Sequence, residues 1–407
     1  MDVKSFFVEY VGCTRRMMDA ERIKQYLLAN GLDYTDNPGE ADYIFLITCG
    51  LNKVNEDRCV DFIKDYKQMS GELVVCGCMP SMNPQKVKAV YGGRVVHTYD
   101  LDGIDGLFPE FTVKFGDLPD VNRGFTRGLA VKRKLRKMRE SGLGLALKDV
   151  LGHLSFRYHG FMSRHSNPVV FNNDYLSLRI SYGCLGSCSY CNIKKAIGRL
   201  RSKPVDVLLE ELRRGVSEGR FMVNIISSDT GAYGLDIGET FPGLLKAILD
   251  EDERVTVEYV EDLHANWVVK YRSELVDLVG TGRVNSILTA VQSGSDRLLK
   301  LMRRHTSLEE YKKALDMMRE ANPELKLRTQ VIVGFPTESE EDFQETIGFL
   351  RAAGFDEVDV FRYYEVETMD SAVIEPKVPE DVVVDRMDRI EELFSEGELK
   401  CSYNIYR

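Results

Sequence analysis

Short apolar runs rich in β-branched residues recur along this chain, each followed by a stretch of helical periodicity, and that alternation restricts the fold to parallel α/β architectures. Over residues 1–115 the pattern predicts strands near Ser5–Tyr10, Tyr43–Thr48, Leu73–Cys76 and Arg94–Thr98, with helices from Met17 and Asn52 and a shorter one before the last strand. These elements make a small doubly wound parallel α/β domain. From Tyr175 to about Tyr364 the rhythm recurs six times, with strands near Leu176–Ser181, Met222–Ser227, Val255–Val260, Asn285–Val291, Lys326–Val333 and Glu357–Tyr363. Six units suit an open, partial (βα)6 barrel, since a closed one takes eight. The expected organisation is thus an α/β domain over 1–115, a basic helical insert or linker over 116–172, a barrel core over 173–375 and an acidic helical tail over 376–407.

Charge is unevenly spread. The chain carries a formal −10, which gives no global attraction to polyanions. Yet Arg123 to Arg139 holds eight basic residues and no acid, and the following LGLALKDVLGHLSFRYHGFM reads as one or two apolar-faced helices. Glu380 to Glu398 holds eight acids against Arg386 and Arg389. The two segments are either solvated helix faces that pair with each other, or the basic one docks a substrate or partner. The N-terminal MDVKSFFVEYVG lacks a basic segment before an apolar core, and no run approaches the roughly 18 apolar residues of a membrane span. The expected location is cytoplasmic, with no membrane partner.

Nine cysteines in a cytoplasmic chain are kept as thiols, so their spacing points to metal or catalysis before disulfides. Cys184, Cys188 and Cys191 stand as Cys-x-x-x-Cys-x-x-Cys in a Gly-rich loop directly after a predicted strand. Three thiolates hold an iron–sulfur cube and leave one iron open for chemistry. The alternatives are a structural zinc site, for which the first histidine beyond Cys191 is as far off as His264, or plain buried thiols. Cys13, Cys49 and Cys78 each follow one of the first three predicted strands. In a doubly wound sheet ligands sit beyond the carboxyl ends of the strands, so these three converge on one edge as a cluster, a zinc site or a redox relay.

With Tyr190 before the last cysteine, the triad after the first barrel strand resembles the radical S-adenosylmethionine (SAM) superfamily. The segments GCTRRMMDAERI, with Asp19 and Glu21, then ITCGLN, VVCGCMPSMNP, RLRSKPVDVLLEEL, SSDTGAYGLDIG, VQSGSDRLLKLM and VIVGFPTESEEDF resemble, in order, its methylthiotransferase branch over roughly residues 1–115 and 173–363. SSDTGAYGLDIG looks like the archaeal and eukaryotic enzymes that modify threonylcarbamoyladenosine beside the tRNA anticodon. The resemblance implies two [4Fe–4S] clusters, one on Cys184, Cys188 and Cys191 with an open iron for SAM, the other on Cys13, Cys49 and Cys78 carrying the sulfur to be transferred. It further implies that Tyr190 lies against adenine or cluster, that Ser227, Ser228 and Asp229 meet the SAM amino group, that Gln292 meets the ribose, and that Val331 to Pro336 present backbone to the adenine, with Gly334 allowing close approach. A reduced electron donor and a sulfur source are implied partners. Cys59, Cys76 and Cys401 read as packing or surface thiols, and Asp19 and Glu21 suit a helix N-terminus on charge alone.

Four departures bear on substrate. No C-terminal β-barrel binding domain fits after the core, and FRYYEVETMDSAV is acidic where relatives carry a basic loop at the barrel mouth. In the third barrel strand segment VTVEYVEDLHAN, Glu258, Glu261 and Asp262 stand where tRNA-modifying relatives place Arg and small polar residues, and Arg16 stands where the family shows Asn. Acids at the mouth oppose phosphate binding. The expectation is therefore sulfur insertion, as a methylthio group, into a peptide or protein side chain, with tRNA adenosine as the alternative substrate. A catalytically silent iron–sulfur scaffold is the reading from another class, discriminated by failure to cleave SAM.

Overall fold

A computed structural model describes residues 4–127 and 169–406 and divides into two compact units, Met1–Tyr175 and Leu176–Arg407. In the first unit five parallel strands, β1 (Ser5–Tyr10), β2 (Asp33–Tyr34), β3 (Tyr43–Thr48), β4 (Glu72–Gly77) and β5 (Arg94–His97), stand in the order β2-β1-β3-β4-β5. That is a doubly wound order, and it reverses between β1 and β3. β3 reads YIFLIT and is buried at every position, as a central parallel strand covered on both faces must be. Its side chains alternate between two apolar layers. Phe45 and Ile47 pack with Ile23, Tyr26 and Phe108, while Ile44 and Leu46 pack with Ile63 and Val75. The helix Lys53–Tyr66 starts where predicted because the Asn52 side chain accepts the Asn55 amide at 2.9 Å.

The basic segment begins as a strand, β6 (Arg123–Arg127), where helix was expected. A period-2 backbone over these few residues replaces the helical reading, and the rest of the insert, with its expected apolar-faced helices, lies outside the described residues. β7 (Val169–Arg179) leads into the second unit.

There the strands β10 (Met222–Ile226), β11 (Thr256–Val260), β12 (Ser286–Leu288), β13 (Lys326–Val333), β14 (Glu357–Arg362) and β15 (Ser402–Tyr406) follow β7 in the order β15-β14-β13-β12-β11-β10-β7. All six expected barrel strands form, and β7 and β15 do not pair, so the sheet stays open. Leu178, Val223, Ile225, Val257, Leu327, Val331, Val358 and Val360 point to the helix layer and form one core with Leu212, Leu245, Leu275 and Leu315. A short antiparallel pair, β8 (Ser181–Tyr182) with β9 (Arg201–Ser202), closes the base of the cysteine loop.

The acidic tail departs from expectation. The helix Glu380–Ser395 does form, but the chain then adds β15 as a seventh parallel strand against β14. Tyr406 stacks on Phe361 at 4.4 Å, and Asn404 donates to Asp359 at 2.7 Å and to Glu357 at 3.3 Å. SYNIY alternates, with Tyr403 and Ile405 packed against the barrel core, so a short polar-looking segment suffices to extend the sheet. The tail acids find partners within the barrel unit: Glu380 pairs with Arg362, Asp385 with Arg389, and Glu398 with Arg351. Among the described residues no helix is long and apolar enough to cross a membrane.

Candidate functional site

Strand register brings three thiols of the first unit to one end of its sheet. Tyr10 pairs with Ile47, Ile47 with Cys76, and Thr48 with Gly77, so Cys49 and Cys78 leave the sheet side by side and Cys13 follows Val11 and Gly12 out of β1. This is the carboxyl end, at the β1/β3 reversal, where doubly wound sheets bind ligands. Gly77 is required there. Its φ is +98°, and a Cβ would stand 2.3 Å from the Thr48 carbonyl oxygen.

Cys49 and Cys78 are buried. Burial pushes the Cys49 thiol well up, and charge on Cys78 and Cys13 would push it further, so the three sulfurs sense one another. The Asn55 amide faces the Cys49 sulfur at 3.7 Å, and the Cys49 amide donates to Cys59 at 3.3 Å. Cys59 is thereby a support for the Cys49 loop, which its sequence position did not reveal. Cys76, on β4, is packed in the core as expected.

In the second unit the cysteine loop is anchored from two sides. Ser189 donates through its amide to Met302 at 3.1 Å and through its hydroxyl to Leu301 at 2.7 Å. On the other side Ser371 donates to the Ser189 carbonyl at 2.9 Å and Asn192 to the Thr368 hydroxyl at 2.6 Å. Gly186 sits between two of the sulfurs, with room for a Cβ only 3.2 Å from Cys184 and 3.7 Å from Cys188. Those sulfurs therefore face a shared space that a side chain would fill. Burial pushes Cys184 up, as does the nearby Asp229, and burial takes Cys191 to about 11. Thiols held this way give up their protons to a metal rather than to water.

Asp229, expected at the SAM amino group, lies against the cysteine loop. It is 1% exposed, and burial raises its pKa. One oxygen accepts from the Trp267 indole at 2.8 Å and lies 3.5 Å from His264, while the other accepts from the Leu185 amide at 3.1 Å and from the Cys184 thiol at 3.4 Å. Ser228 is half-buried next to it, and Ser227 bonds Ser181 at 2.7 Å, tying the ends of β10 and β8. Gln292 is buried with φ +77°, a strained backbone for a residue with a side chain, fixed by its amide to Gln330 and by the Ile332 amide to its carbonyl, both at 2.8 Å. Tyr190 packs on Leu298, Met302, Ile332 and Phe335, an apolar layer beside Cys188.

Gly334 is occupied differently from the expectation of open approach. Its amide donates to Glu338 at 2.9 Å, and a Cβ would stand 2.8 Å from Val383 of the Glu380–Ser395 helix. Its φ of +84° and the packing of Val383 already call for a glycine there, whatever approaches it.

Two further residues escaped sequence reading. Arg304, 9% exposed, donates to Cys188 at 3.7 Å and to the Ala290 carbonyl at 2.5 Å. Trp267 holds Asp229 and has space only because residue 231 is glycine, where a Cβ would lie 2.1 Å from the indole. The acids thought to face the barrel mouth are mostly spent internally. Glu258 accepts from Asn285 at 2.7 Å and Thr256 at 2.8 Å, Glu261 is buried, Glu365 pairs with Lys377 at 2.6 Å, and Asp370 with Arg303 at 2.5 Å.

Among the described residues no group of three or more His, Cys, Asp or Glu is gathered tightly enough to hold a metal ion. Ligands of one zinc ion lie about 2.3 Å from it, whereas the corners of an iron–sulfur cube are spread more widely, and an all-cysteine donor set suits the cube.

Residues 178–350 match the Radical SAM superfamily and residues 5–96 the Uncharacterized protein family UPF0004. The threonylcarbamoyladenosine tRNA methylthiotransferase of Mus musculus is 27% identical over 405 residues, 99% of this chain and 64% of that protein. The ribosomal protein uS12 methylthiotransferase RimO of Shigella sonnei (strain Ss046) is 28% identical over 400 residues, 94% of this chain and 80% of that protein. Together the two family matches and these relatives support a radical SAM methylthiotransferase family for this chain. The cofactors of radical SAM methylthiotransferases are SAM and two [4Fe–4S] clusters. The chain spans under two thirds of the length of the mouse methylthiotransferase. Of solved structures, the radical SAM methyltransferase TsrM from Kitasatospora setae, with cobalamin and a [4Fe-4S] cluster bound, shares the fold with a TM-score of 0.57 at 12% identity, over 88% of this chain and 75% of that one.

Proposed function

We propose that this radical SAM methylthiotransferase inserts a methylthio group into an adenosine of tRNA, of the N6-threonylcarbamoyladenosine type. Cys184, Cys188 and Cys191 would hold the cluster that binds SAM, and Cys13, Cys49 and Cys78 the second cluster. When bound, these groups supply reductive cleavage of the SAM sulfonium and the sulfur that enters the C–H bond. The observation that carries the reading is the placement of Asp229 against Cys184, 3.4 Å from its sulfur: a carboxylate poised for an ammonium stands at a cluster ligand.

The chain's own residues do the positioning. Trp267 and the Leu185 amide fix the Asp229 carboxylate, so it is aimed before a ligand arrives. Ser228 lies beside it for the same amino group, and Gln292, its backbone locked against β13, would serve the ribose. Leu298, Met302, Ile332 and Phe335, with Tyr190, would keep water from the space beside Cys188 and so limit side reactions there once the cofactors are bound.

The choice of tRNA reverses the polypeptide expectation, which rested on uncompensated acids at the barrel mouth. Glu365 and Asp370 are neutralised by Lys377 and Arg303, and Glu258 and Glu261 are turned inward, so the barrier to phosphate is much reduced. The mouse tRNA methylthiotransferase matches along nearly this whole chain.

The test is deletion of the gene in its own host with mass spectrometry of tRNA nucleosides. A 2-methylthio nucleoside that disappears, and returns with the intact gene but not with a Cys188→Ala version, is the expected result. Unchanged nucleosides together with a protein that loses about 46 Da, the methylthio group in place of hydrogen, would restore the polypeptide reading.

A further inference from the structure

A buried arginine stands among the three thiols of the first unit. Arg16 is 4% exposed and lies in the first turn of the helix Thr14–Ala29, where its amide donates to the Cys13 carbonyl at 3.0 Å. A Cβ added at Gly12 would meet the Cβ of Cys49 at 3.3 Å and the Cγ of Arg16 at 3.4 Å, so the arginine stem runs alongside the Cys49 loop. The guanidinium lies 2.9 Å from the Asp19 carboxylate, itself 1% exposed, and donates to the Thr98 hydroxyl. Thr98 in turn is hydrogen-bonded to the Cys78 thiol, so the guanidinium stands one hydroxyl away from that sulfur. The arginine thus follows the Cys13 turn, runs beside the Cys49 loop and places its cation one hydroxyl from the Cys78 sulfur, and it has no part in binding iron itself.

Such a pair is not explained by stability. Removing both an arginine and an aspartate from water is costly, and well-packed apolar residues in the same place are often as stable or more so. What the location offers is charge. Three thiolates on an iron–sulfur cube leave it net negative in either oxidation state and more negative when reduced, and reduction potential follows net charge, hydrogen bonding and burial around the sulfurs. In a buried setting a fixed charge close to the sulfurs acts with little screening.

We propose that Arg16 and Asp19 form a charge pair that sets the reduction potential of the iron–sulfur group on Cys13, Cys49 and Cys78, with Arg16 the positioning residue that raises it and Asp19 the counterweight that lowers it. The inference rests on the cluster assignment made under the proposed function.

The test uses the full chain with Cys184, Cys188 and Cys191 all changed to Ala, so that one site remains, reconstituted anaerobically with iron and sulfide. Iron content and the midpoint of an electron-paramagnetic-resonance redox titration are measured for this parent and its variants. Arg16→Gln should lower the midpoint, Asp19→Asn should raise it, the double variant should return close to the parent, and Arg16→Lys should preserve the parent value. Opposite shifts cannot arise from a general loosening of the site. Shifts of the same sign, or no shift with iron retained, overturn the inference and leave the cluster assignment standing. If Arg16→Gln does not fold, Asp19→Asn and Arg16→Lys decide alone, and failure of Asp19→Asn to raise the midpoint overturns it. A parent that binds no iron overturns the cluster assignment and this inference together.

Discussion

The indole N–H of Trp267 donates to one oxygen of Asp229 at 2.8 Å, while the other oxygen accepts from the Leu185 amide and lies against the Cys184 thiol. Three chain segments meet in that carboxylate: the exit of β10, the helix Ala265–Lys270 and the cysteine loop. Its orientation is therefore a tertiary property.

Trp267→Phe removes the donor and keeps the ring, so SAM binding should weaken about tenfold, the equivalent of one lost charge-assisted hydrogen bond of about 1.4 kcal/mol. Equilibrium dialysis of the reconstituted protein checks this. Trp267 is also the single tryptophan of the chain, so SAM added to the unaltered protein should change its emission. Unchanged affinity and unchanged emission would together remove Asp229 from the SAM site.

Gly77→Ala places a methyl group 2.3 Å from the Thr48 carbonyl at φ +98°. The end of β4 must shift, carrying Cys78 away from Cys49. The expected result is destabilisation of about 2 kcal/mol or more and loss of the iron bound in the first unit, read by thermal melts and by iron analysis in a protein lacking the barrel cysteines. Full iron content would show that the loop tolerates another path.

Glu338 makes stability depend on pH. Burial pushes its carboxyl from the ordinary 4.5 up to about 7, despite the Gly334 amide and Arg386 at 2.8 Å, which favour the charged form. Between these values the folded chain keeps a proton that the unfolded chain releases, so the contribution of this group is greatest at acid pH and is lost as pH rises through the window. The melting temperature of the unaltered protein minus that of Glu338→Gln should fall between about pH 5 and about pH 8. A difference that stays level or rises would contradict the shift.

Asn404 anchors β15 to β14. Asn404→Leu leaves the buried Asp359 carboxylate without that donor and should cost about 2 kcal/mol in the barrel unit, measured by denaturant unfolding. A neutral result would mean that β15 is held by Tyr406 stacked on Phe361 and by Tyr403 stacked on Phe394 rather than by its polar face.

Much of this protein is legible in the sequence because its information is local. Apolar runs locate the strands, with β1, β3 and β13 as predicted, and the cysteines follow strands by chain position. Since ligands of parallel sheets gather at carboxyl ends, adjacency of a cysteine to a strand end is enough to place it. β15 was missed because SYNIY is short, with only Tyr403 and Ile405 facing the core, and its pairing depends on Glu357 and Asp359 from a strand far earlier in the chain.

The amino-acid order by itself determined the two parallel α/β units, the two cysteine trios and the family they resemble, because hydrophobic period and motif spacing are properties of neighbouring residues. Only the tertiary structure decided that Arg304 would sit beside Cys188 across 116 positions, that Trp267 would hold Asp229 across 38, and that the mouth acids would be spent on Lys377 and Arg303. Charge and hydrogen bonding act through space, over a few ångströms, and sequence distance carries no record of them.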